Sequence, residues 1–186
     1  MLPARIQLAL PAGVHDAVDP ALPCADDEAK VALAVRLSAL NVAHGTGGPF
    51  GAAIFDALGR LVSVGVNQVV PQHCSVAHAE MMAFMLAQQR LQRFRLNEDG
   101  GRYTLASSAQ PCCQCYGASV WAGIDTRLIG ARAEDVMALT EFDEGPLPAD
   151  WRGELERRGI AVRLDLGRES AREVLRRYGA EGGARY

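Results

Sequence analysis

The amino-acid sequence predicts an α/β domain in which a mixed sheet carries helices on both faces. Strand-like and helix-like segments alternate along the chain, and this alternation is typical of that architecture. The chain has 186 residues, which is enough for one domain with a substantial core. Apolar residues make up 49% of the sequence and charged residues 22%, so the composition excludes a disordered chain.

The chain starts with a segment of weak pattern and continues into a helix. Residues 1–25 hold four prolines and no clear period, so we expect an N-terminal arm that lies over a domain spanning 26–186. Asp26 or Asp27 can cap the first helix of that domain, because a short carboxylate accepts hydrogen bonds from free backbone amides. The glycine-rich run 45–49 ends this helix.

The following segments alternate between the apolar pattern of strands, which repeats about every 2 residues, and that of helices, which repeats about every 3.6 residues. Residues 52–56 and 61–70 predict a hairpin that turns at Leu58-Gly59-Arg60, because two apolar runs flank a glycine turn. After the hairpin we expect a helix at 77–93, a strand at 103–107, a helix at 112–121, a buried strand at 127–131, a helix at 133–139, and a last helix, strand and helix at 151–158, 161–166 and 169–178.

Two short motifs stand where helices are predicted to begin. His78 and Glu80 form the first motif, and Pro111, Cys112 and Cys115 belong to the second. Three such ligands with an open fourth position are typical of a catalytic zinc, whose water ionises near neutral pH. A carboxylate beside the metal can move protons between that water and a substrate nitrogen. The combination of H-x-E and P-C-x-x-C is the signature of zinc deaminases.

Helical geometry limits how these residues can meet. Cys112 and Cys115 are three apart, so their sulfurs face the same side of a helix whose first turn suits Pro111. The positive end of that helix favours thiolates over thiols. His78 and Glu80 are two apart and would diverge on a regular helix. They can share a site only if His78 lies at the helix entrance.

A structural zinc site in a binding protein without activity is the alternative from a different class. His73 and Cys74 are candidates for the fourth ligand of such a closed site. Glu80 argues against it, because a structural site has no use for a free carboxylate. Three of the five cysteines crowd into one motif, which favours metal ligation in a reducing cytosol over a disulfide framework. We therefore expect a cytoplasmic protein.

Charge and hydropathy narrow the range of partners. The formal net charge of −3 gives no general attraction for nucleic acid or for an anionic membrane. Arginines and glutamates mix along the last predicted helix, which is no RNA-binding footprint. No apolar run reaches the length of about 18 residues that a membrane helix needs. The apolar run 6–10 is cut by Pro11 and lacks a basic flank, so it predicts no signal peptide.

Beyond the zinc motifs, several segments resemble the cytidine deaminase superfamily and, within it, the bacterial guanine deaminases. These segments are Gly47-Gly48-Pro49-Phe50-Gly51-Ala52, Asn67, Trp121-Ala122-Gly123 and Phe142-Asp143-Glu144-Gly145-Pro146. The resemblance covers nearly all of residues 26–186. It implies a three-layer α/β/α sandwich with a five-stranded mixed sheet, in a homodimer. It also implies that residues 140–186 form a C-terminal extension that is exchanged between subunits and helps to close the partner's site.

The resemblance further implies roles for the motif residues. His78, Cys112 and Cys115 would hold one Zn²⁺. Glu80 would take a proton from the zinc-bound water and deliver it to a ring nitrogen, and Glu144 would serve as a second proton shuttle. The expected substrate contacts are Phe50, Asn67, Ala79, Trp121, Asp143 and Tyr186. Asn67 would hydrogen-bond the base, and the rings of Phe50 and Trp121 would stack on it. Tyr186 would cover the bound substrate.

One position departs from the family pattern. Gln110 stands where the family usually has Glu before the Pro-Cys pair, and the tail Cys113-Gln114 also differs from common choices. A neutral amide still donates and accepts hydrogen bonds, so the departure bears on the substrate more than on the metal. We predict hydrolytic deamination of free guanine to xanthine and ammonia, as a step of purine catabolism. Another aminated heterocycle (ammeline, cytosine or a nucleoside) or adenosine in tRNA stays open as the substrate.

Overall fold

The computed structural model describes residues 2, 4–19, 24 and 26–184, which are built around a five-stranded sheet. Its strands are β1 (Gly51–Asp56), β2 (Leu61–Val66), β3 (Tyr103–Ala109), β4 (Thr126–Ala131) and β5 (Ala161–Arg163). They lie in the order β2-β1-β3-β4-β5. β1 pairs antiparallel with β2 and β3, whereas β4 pairs in parallel with β3 and β5, so the sheet is mixed as predicted.

Helices cover both faces of this sheet. They are α1 (Gly13–Asp16), α2 (Asp27–Ala43), α3 (Ala79–Leu91), α4 (Cys113–Ala122), α5 (Ala133–Thr140), α6 (Trp151–Arg157) and α7 (Arg168–Ala180). Side chains of α2, α5 and α7 pack in one buried cluster with Ala53 and Phe55 of β1. Side chains of α3, α4 and α6 pack in a second cluster with Ala52 and Ile54 of the same strand. Successive strand residues point to opposite faces, so the expected α/β/α sandwich is confirmed.

The caps and turns follow the chemistry of the sequence. Asp26 is extended and its side chain accepts a hydrogen bond of 2.8 Å from the Ala29 amide, so it caps α2. In the hairpin, the Asp56 carboxylate accepts hydrogen bonds from the amides of Leu58 at 2.9 Å and Arg60 at 3.0 Å. This local bonding fixes the tight turn between β1 and β2.

Two strands are shorter than predicted. β2 ends at Val66 and not at residue 70, because the next residues leave the sheet and the Gln68 amide donates to the Ala77 carbonyl at 2.8 Å. β5 ends at Arg163 and not at residue 166, and the chain turns at Asp165 with a positive φ of 66°. In both segments apolar residues still follow after the backbone has left the sheet, namely Val69 and Val70 after β2 and Leu164 and Leu166 after β5.

The described part of the arm contains a helix that the sequence did not predict. α1 buries Val14 against the cluster that α2 shares with the sheet. The side-chain oxygen Oε1 of Gln72 accepts a hydrogen bond of 3.1 Å from the Ala9 backbone amide, so a second point of the arm is attached to the domain. The described part of the arm therefore contacts the rest of the chain at both of these points. None of the helices in the described part of the chain combines the length and the apolar composition of a membrane span.

α3 lies so close to β2 that glycine is required between them. A Cβ atom on Gly65 would lie 2.0 Å from the Ala79 carbonyl oxygen and 2.7 Å from the Ala83 amide. Both are backbone atoms, so they cannot move away from an added Cβ by a rotamer change, as a side chain can. Because Ala79 is the first residue of α3, this contact fixes the start of that helix against the sheet.

We expect G65A to lower the free energy of unfolding by about 1–3 kcal/mol, because the added methyl group forces α3 away from β2. G117A is the matched control. Nothing lies within 4 Å of a Cβ on Gly117, and alanine favours the helix interior by up to about 1 kcal/mol. Urea unfolding of both variants at one zinc concentration tests this. Equal effects of the two substitutions would contradict the close packing at Gly65.

Candidate active site

The N-terminus of α3 presents both residues of the first motif. His78 is the N-cap, with the extended angles φ −68° and ψ 159°, and Ala79 is the first helical residue. Because the chain bends between cap and helix, the His78 ring and the Glu80 carboxylate reach one site despite their spacing. The prediction that His78 lies at the helix entrance is confirmed.

α4 begins in the same way. Cys112 is its N-cap, in the extended conformation, and Cys115 lies in its first turn. Pro111 therefore precedes the helix, and its predicted place inside the first turn is wrong. The Nδ1 atom of His78 lies 3.4 Å from the sulfur of Cys112 and 3.7 Å from that of Cys115.

These three ligand atoms fit a zinc ion. They lie within 4.8 Å of one another. Zinc bonds of about 2.3 Å to sulfur and about 2.0 Å to nitrogen at tetrahedral angles place nitrogen and sulfur about 3.6 Å apart, close to both observed distances. Neither His73 nor Cys74 belongs to the cluster, so the closed site considered above does not form from them. Three protein ligands leave the fourth position for water, as in a catalytic zinc site.

The cysteines of the cluster are prepared for metal binding. The hydrogen bond from the Cys115 thiol, and a further one from His78, lower the pKa of the Cys112 thiol to about 4 in the metal-free chain. The same bond and the burial of Cys115 raise the pKa of its own thiol. Because zinc binds thiolates, its binding at this cluster would release protons and depend on pH.

Glu80 is buried between the ligands and an arginine. Its Oε2 atom lies 3.3 Å from the Cys115 sulfur, and its Oε1 atom accepts a hydrogen bond of 2.8 Å from Arg127. Arg127 also donates to the Ser119 hydroxyl at 2.6 Å, and that hydroxyl donates to the Cys115 carbonyl at 2.7 Å. Sequence reasoning missed both residues, although a charged side chain at the start of a strand predicted as buried was the signal for Arg127.

A cavity of about 290 Å³ opens in front of the ligands. Its size lies near the lower end of the range for small-molecule sites. The predicted site residues in its wall are Phe50, Asn67, His78, Ala79, Glu80, Cys112, Asp143 and Glu144. The fold thus brings distant segments of the chain to one enclosed space beside the metal ligands.

Asn67 is held in the cavity wall by a buried amide network. The Asn67 carbonyl accepts hydrogen bonds from the side-chain amides of Asn41 at 3.0 Å and Gln68 at 2.9 Å. Asn41 also donates to the Gly48 carbonyl at 2.8 Å, and the Asn67 side-chain oxygen accepts from the Val69 amide at 3.3 Å. Asn41 and Gln68 were not predicted as site residues. Asn41 lies near the largely apolar C-terminal end of α2, and this was the sequence signal for the scaffold.

Glu144 enters the cavity from the loop after α5. Its carbonyl accepts a hydrogen bond of 3.0 Å from the Cys113 amide, which attaches the loop to the start of α4. Gly145 has a φ of +66°, and a Cβ there would lie 2.7 Å from the Cys113 sulfur, so this turn requires glycine. Burial, together with the negative charges of Cys112 and Glu80, raises the pKa of the Glu144 carboxyl to about 8 in the metal-free chain.

Comparison with known proteins identifies the family. Residues 25–131 match the family model described as the cytidine and deoxycytidylate deaminase zinc-binding region. The chain belongs to this family. Guanine deaminase of Bacillus subtilis (strain 168) is 37% identical over 89 residues, which are 48% of this chain and 54% of that protein. The chain spans about half the length of the curated relatives it matches.

Solved structures extend the likeness over the whole deaminase fold. Guanine deaminase from Nitrosomonas europaea is 40% identical, with a TM-score of 0.89, over 97% of this chain and 99% of that one. A variant of the protein NE0047 in complex with 8-azaguanine is 40% identical, with a TM-score of 0.90, over 95% of this chain and 98% of that one. These matches include the segments that flank the zinc-binding region.

One predicted substrate contact, Trp121, does not line this cavity. Trp121 is 76% exposed and follows Cys115 along α4 by six residues, about 9 Å of helix rise. Its stacking on the substrate stays a prediction. Tyr186 lies outside the described residues, and its covering role stays a prediction.

Aromatic side chains connect the cavity to the last helix. The Phe50 and Phe142 ring centroids are 5.4 Å apart, and the Phe142 and Tyr178 centroids are 6.0 Å apart. Phe50 and Phe142 line the cavity, whereas Tyr178 lies on α7. The wall beside the predicted substrate position thus rests on the C-terminal helix.

Gln110 fills the position at which the sequence departs from the family pattern. Its backbone amide donates to the Ala131 carbonyl at 2.8 Å, and its side-chain oxygen accepts from the Ala133 amide at 3.4 Å. A glutamate oxygen could accept the same bond, so the amide keeps the link between the zinc loop and the start of α5. The departure leaves the placement of Cys112 intact.

We expect C112S and C115S to lower zinc content far below one ion per chain and to abolish turnover. A serine hydroxyl does not ionise near neutral pH, and two ligands hold zinc poorly. C113S is the matched control, because Cys113 is exposed and lies outside the ligand cluster. Metal analysis after gel filtration measures the zinc content. Loss of zinc from C113S as large as from C112S would contradict the ligand assignment.

Proposed function

We propose that this chain is a zinc-dependent aminohydrolase that converts free guanine to xanthine and ammonia. The observation that carries the proposal is the place of Glu80, which is buried beside the ligand cluster and faces the cavity. A closed structural site has no need for such a carboxylate. The likeness to the Nitrosomonas europaea guanine deaminase over nearly the full chain supports guanine as the substrate.

The side chains around the cavity divide the work of the reaction. When bound to His78, Cys112 and Cys115, zinc supplies an activated water as the nucleophile. Glu80 accepts the proton that this water releases and delivers it to a ring nitrogen of the base. The carbon–nitrogen bond would break as the amino-bearing carbon gains the oxygen of water, and ammonia would leave. Glu144 lines the same cavity. It would give a proton to the departing nitrogen and regain one from the hydroxyl group that becomes the xanthine carbonyl.

Other residues of the cavity wall would recognise the base. Asn67 offers an amide, held by the buried network, that would hydrogen-bond the edge of the purine. A site built on such bonds rejects analogues that lack the partner group. The Phe50 ring lines the cavity and would stack on the planar base. Ala79 and Asp143 complete the proposed contacts, because both also line the cavity.

The assembly and the place of action belong to the same proposal. We infer a cytoplasmic homodimer that acts in purine catabolism, with residues 140–186 as the extension exchanged between subunits. The exposed rings of Trp121 and Phe94, which are 76% and 78% exposed, suit an interface better than solvent. Tyr186 would then cover the substrate of the partner.

A panel of bases tests the substrate. Purified, zinc-loaded protein is incubated with guanine, adenine, cytosine, cytidine, guanosine and ammeline, and the released ammonia is measured. We expect turnover of guanine and little of the others, because the cavity is small and Asn67 selects a matching edge. Turnover of another base in preference to guanine would refute the assignment of guanine as the substrate. If none of the bases releases ammonia, the guanine proposal fails, and the result favours adenosine in tRNA as the substrate or a binding protein without activity.

E80Q tests the mechanism. We expect turnover to fall by about 10²- to 10⁴-fold, because an amide cannot accept and return a proton. The glutamine oxygen can still accept the hydrogen bond from Arg127, so zinc content and folding should be retained. E169Q is the matched control, since Glu169 is exposed on α7, where its contacts are with arginines of the same helix. Activity of E80Q equal to that of E169Q would end the proposed mechanism.

A further inference from the structure

A fully buried arginine lies behind the proposed proton carrier. The side chain of Arg127 is 0% exposed, which is rare for arginine in a soluble domain unless it is paired. It stands two residues before Ile129 on β4, so both side chains point to the face that α3 and α4 cover. Its carboxylate partner is Glu80, at 2.8 Å.

The guanidinium connects the carboxylate to the helix that carries a metal ligand. One nitrogen of Arg127 donates to Oε1 of Glu80, and another donates to the Ser119 hydroxyl. Ser119 in turn donates to the Cys115 carbonyl. The second oxygen of Glu80 is left on the side of the metal ligands, 3.3 Å from the Cys115 sulfur. One side chain thus sets the distance between the carboxylate and the ligand cluster.

We propose that Arg127 is a positioning residue that holds Glu80 with a single oxygen, Oε2, toward the reacting atoms. This inference rests on the proposed function, since it concerns the same reaction. Rotation of the carboxylate would break a charge-assisted hydrogen bond, so Glu80 keeps one orientation before the substrate arrives. A group held in its working geometry avoids the cost of ordering it during the reaction.

Arg127 acts through Glu80 and not on the substrate. Of the described residues, those that line the cavity include Glu80 but not Arg127. A purely structural role explains the pair less well, because apolar residues of similar volume are often as stabilising as a buried ion pair. The placement of the pair beside the metal ligands is what a positioning role requires.

R127M tests the proposal, because methionine fills a similar volume without a donor. We expect kcat for guanine to fall about 10- to 100-fold, as for the loss of other outer partners of a metal site, with KM and zinc content unchanged. R127K keeps one donor and should recover part of kcat. R163M is the matched control, since Arg163 is exposed on the neighbouring strand and pairs with Asp27. An unchanged kcat in R127M would overturn the proposal.

The same substitution in the E80Q background separates positioning from a general structural effect. Because Arg127 works only through the carboxylate, R127M should reduce the residual activity of E80Q no further. A loss by the same factor in both backgrounds would show that Arg127 acts elsewhere, and it would overturn the proposal.

Unfolding measurements keep the test independent of the substrate. If the wild-type chain fails to deaminate guanine, the proposed function fails, whereas the pairing can still be measured by urea unfolding. R127M leaves the Glu80 carboxylate buried without its partner, so E80Q/R127M should unfold at a higher urea concentration than R127M alone. If R127M does not fold at all, folding of E80Q/R127M supports the pairing in the same way. A double variant no more stable than R127M would overturn it.

Discussion

The site depends on one constraint, namely that α3 and α4 begin at the same place beside the sheet. His78 and Cys112 are both N-caps in the extended conformation, so each ligand stands just outside the helix that it begins. The metal ligands therefore keep their distances only while both helix starts are fixed. The backbone contact at Gly65 fixes one start, and the hydrogen bond from the Cys113 amide to the Glu144 carbonyl fixes the other.

The charges enclosed around the ligands balance in pairs. With zinc bound, two thiolates would offset its two positive charges, and Arg127 offsets the charge of Glu80. An uncompensated charge in such a buried place would destabilise the fold by several kcal/mol. Burial is the main cause of the raised pKa of the Glu144 carboxyl, and the negative charges of Cys112 and Glu80 add to it. The surroundings of the two glutamates, and not their residue type, thus distinguish them.

Sequence periodicity predicted the α/β architecture because helices and strands bury one face each. The zinc ligands were predicted from the H-x-E and P-C-x-x-C signature, and helix geometry then showed how the two cysteines share one side. Neither could predict Arg127 or Asn41, since the partners of a buried polar side chain come from distant segments. Trp121 was chosen from the family resemblance and its flat ring, which carry no information about the direction in which its side chain leaves α4. β2 was predicted too long because the apolar Val69 and Val70 follow it in sequence after the backbone has left the sheet.

The two residues between the cysteine ligands can be substituted more freely than the ligands themselves. Cys113 and Gln114 are exposed and line the cavity, while Cys112 and Cys115 on either side hold the metal. Substitutions at these two positions change the rim of the cavity and keep the three ligand side chains, although the Gln114 amide lies 3.5 Å from the Nε2 atom of His78. The lining of the cavity can therefore vary in the middle of the metal motif itself, while the ligand set is inherited.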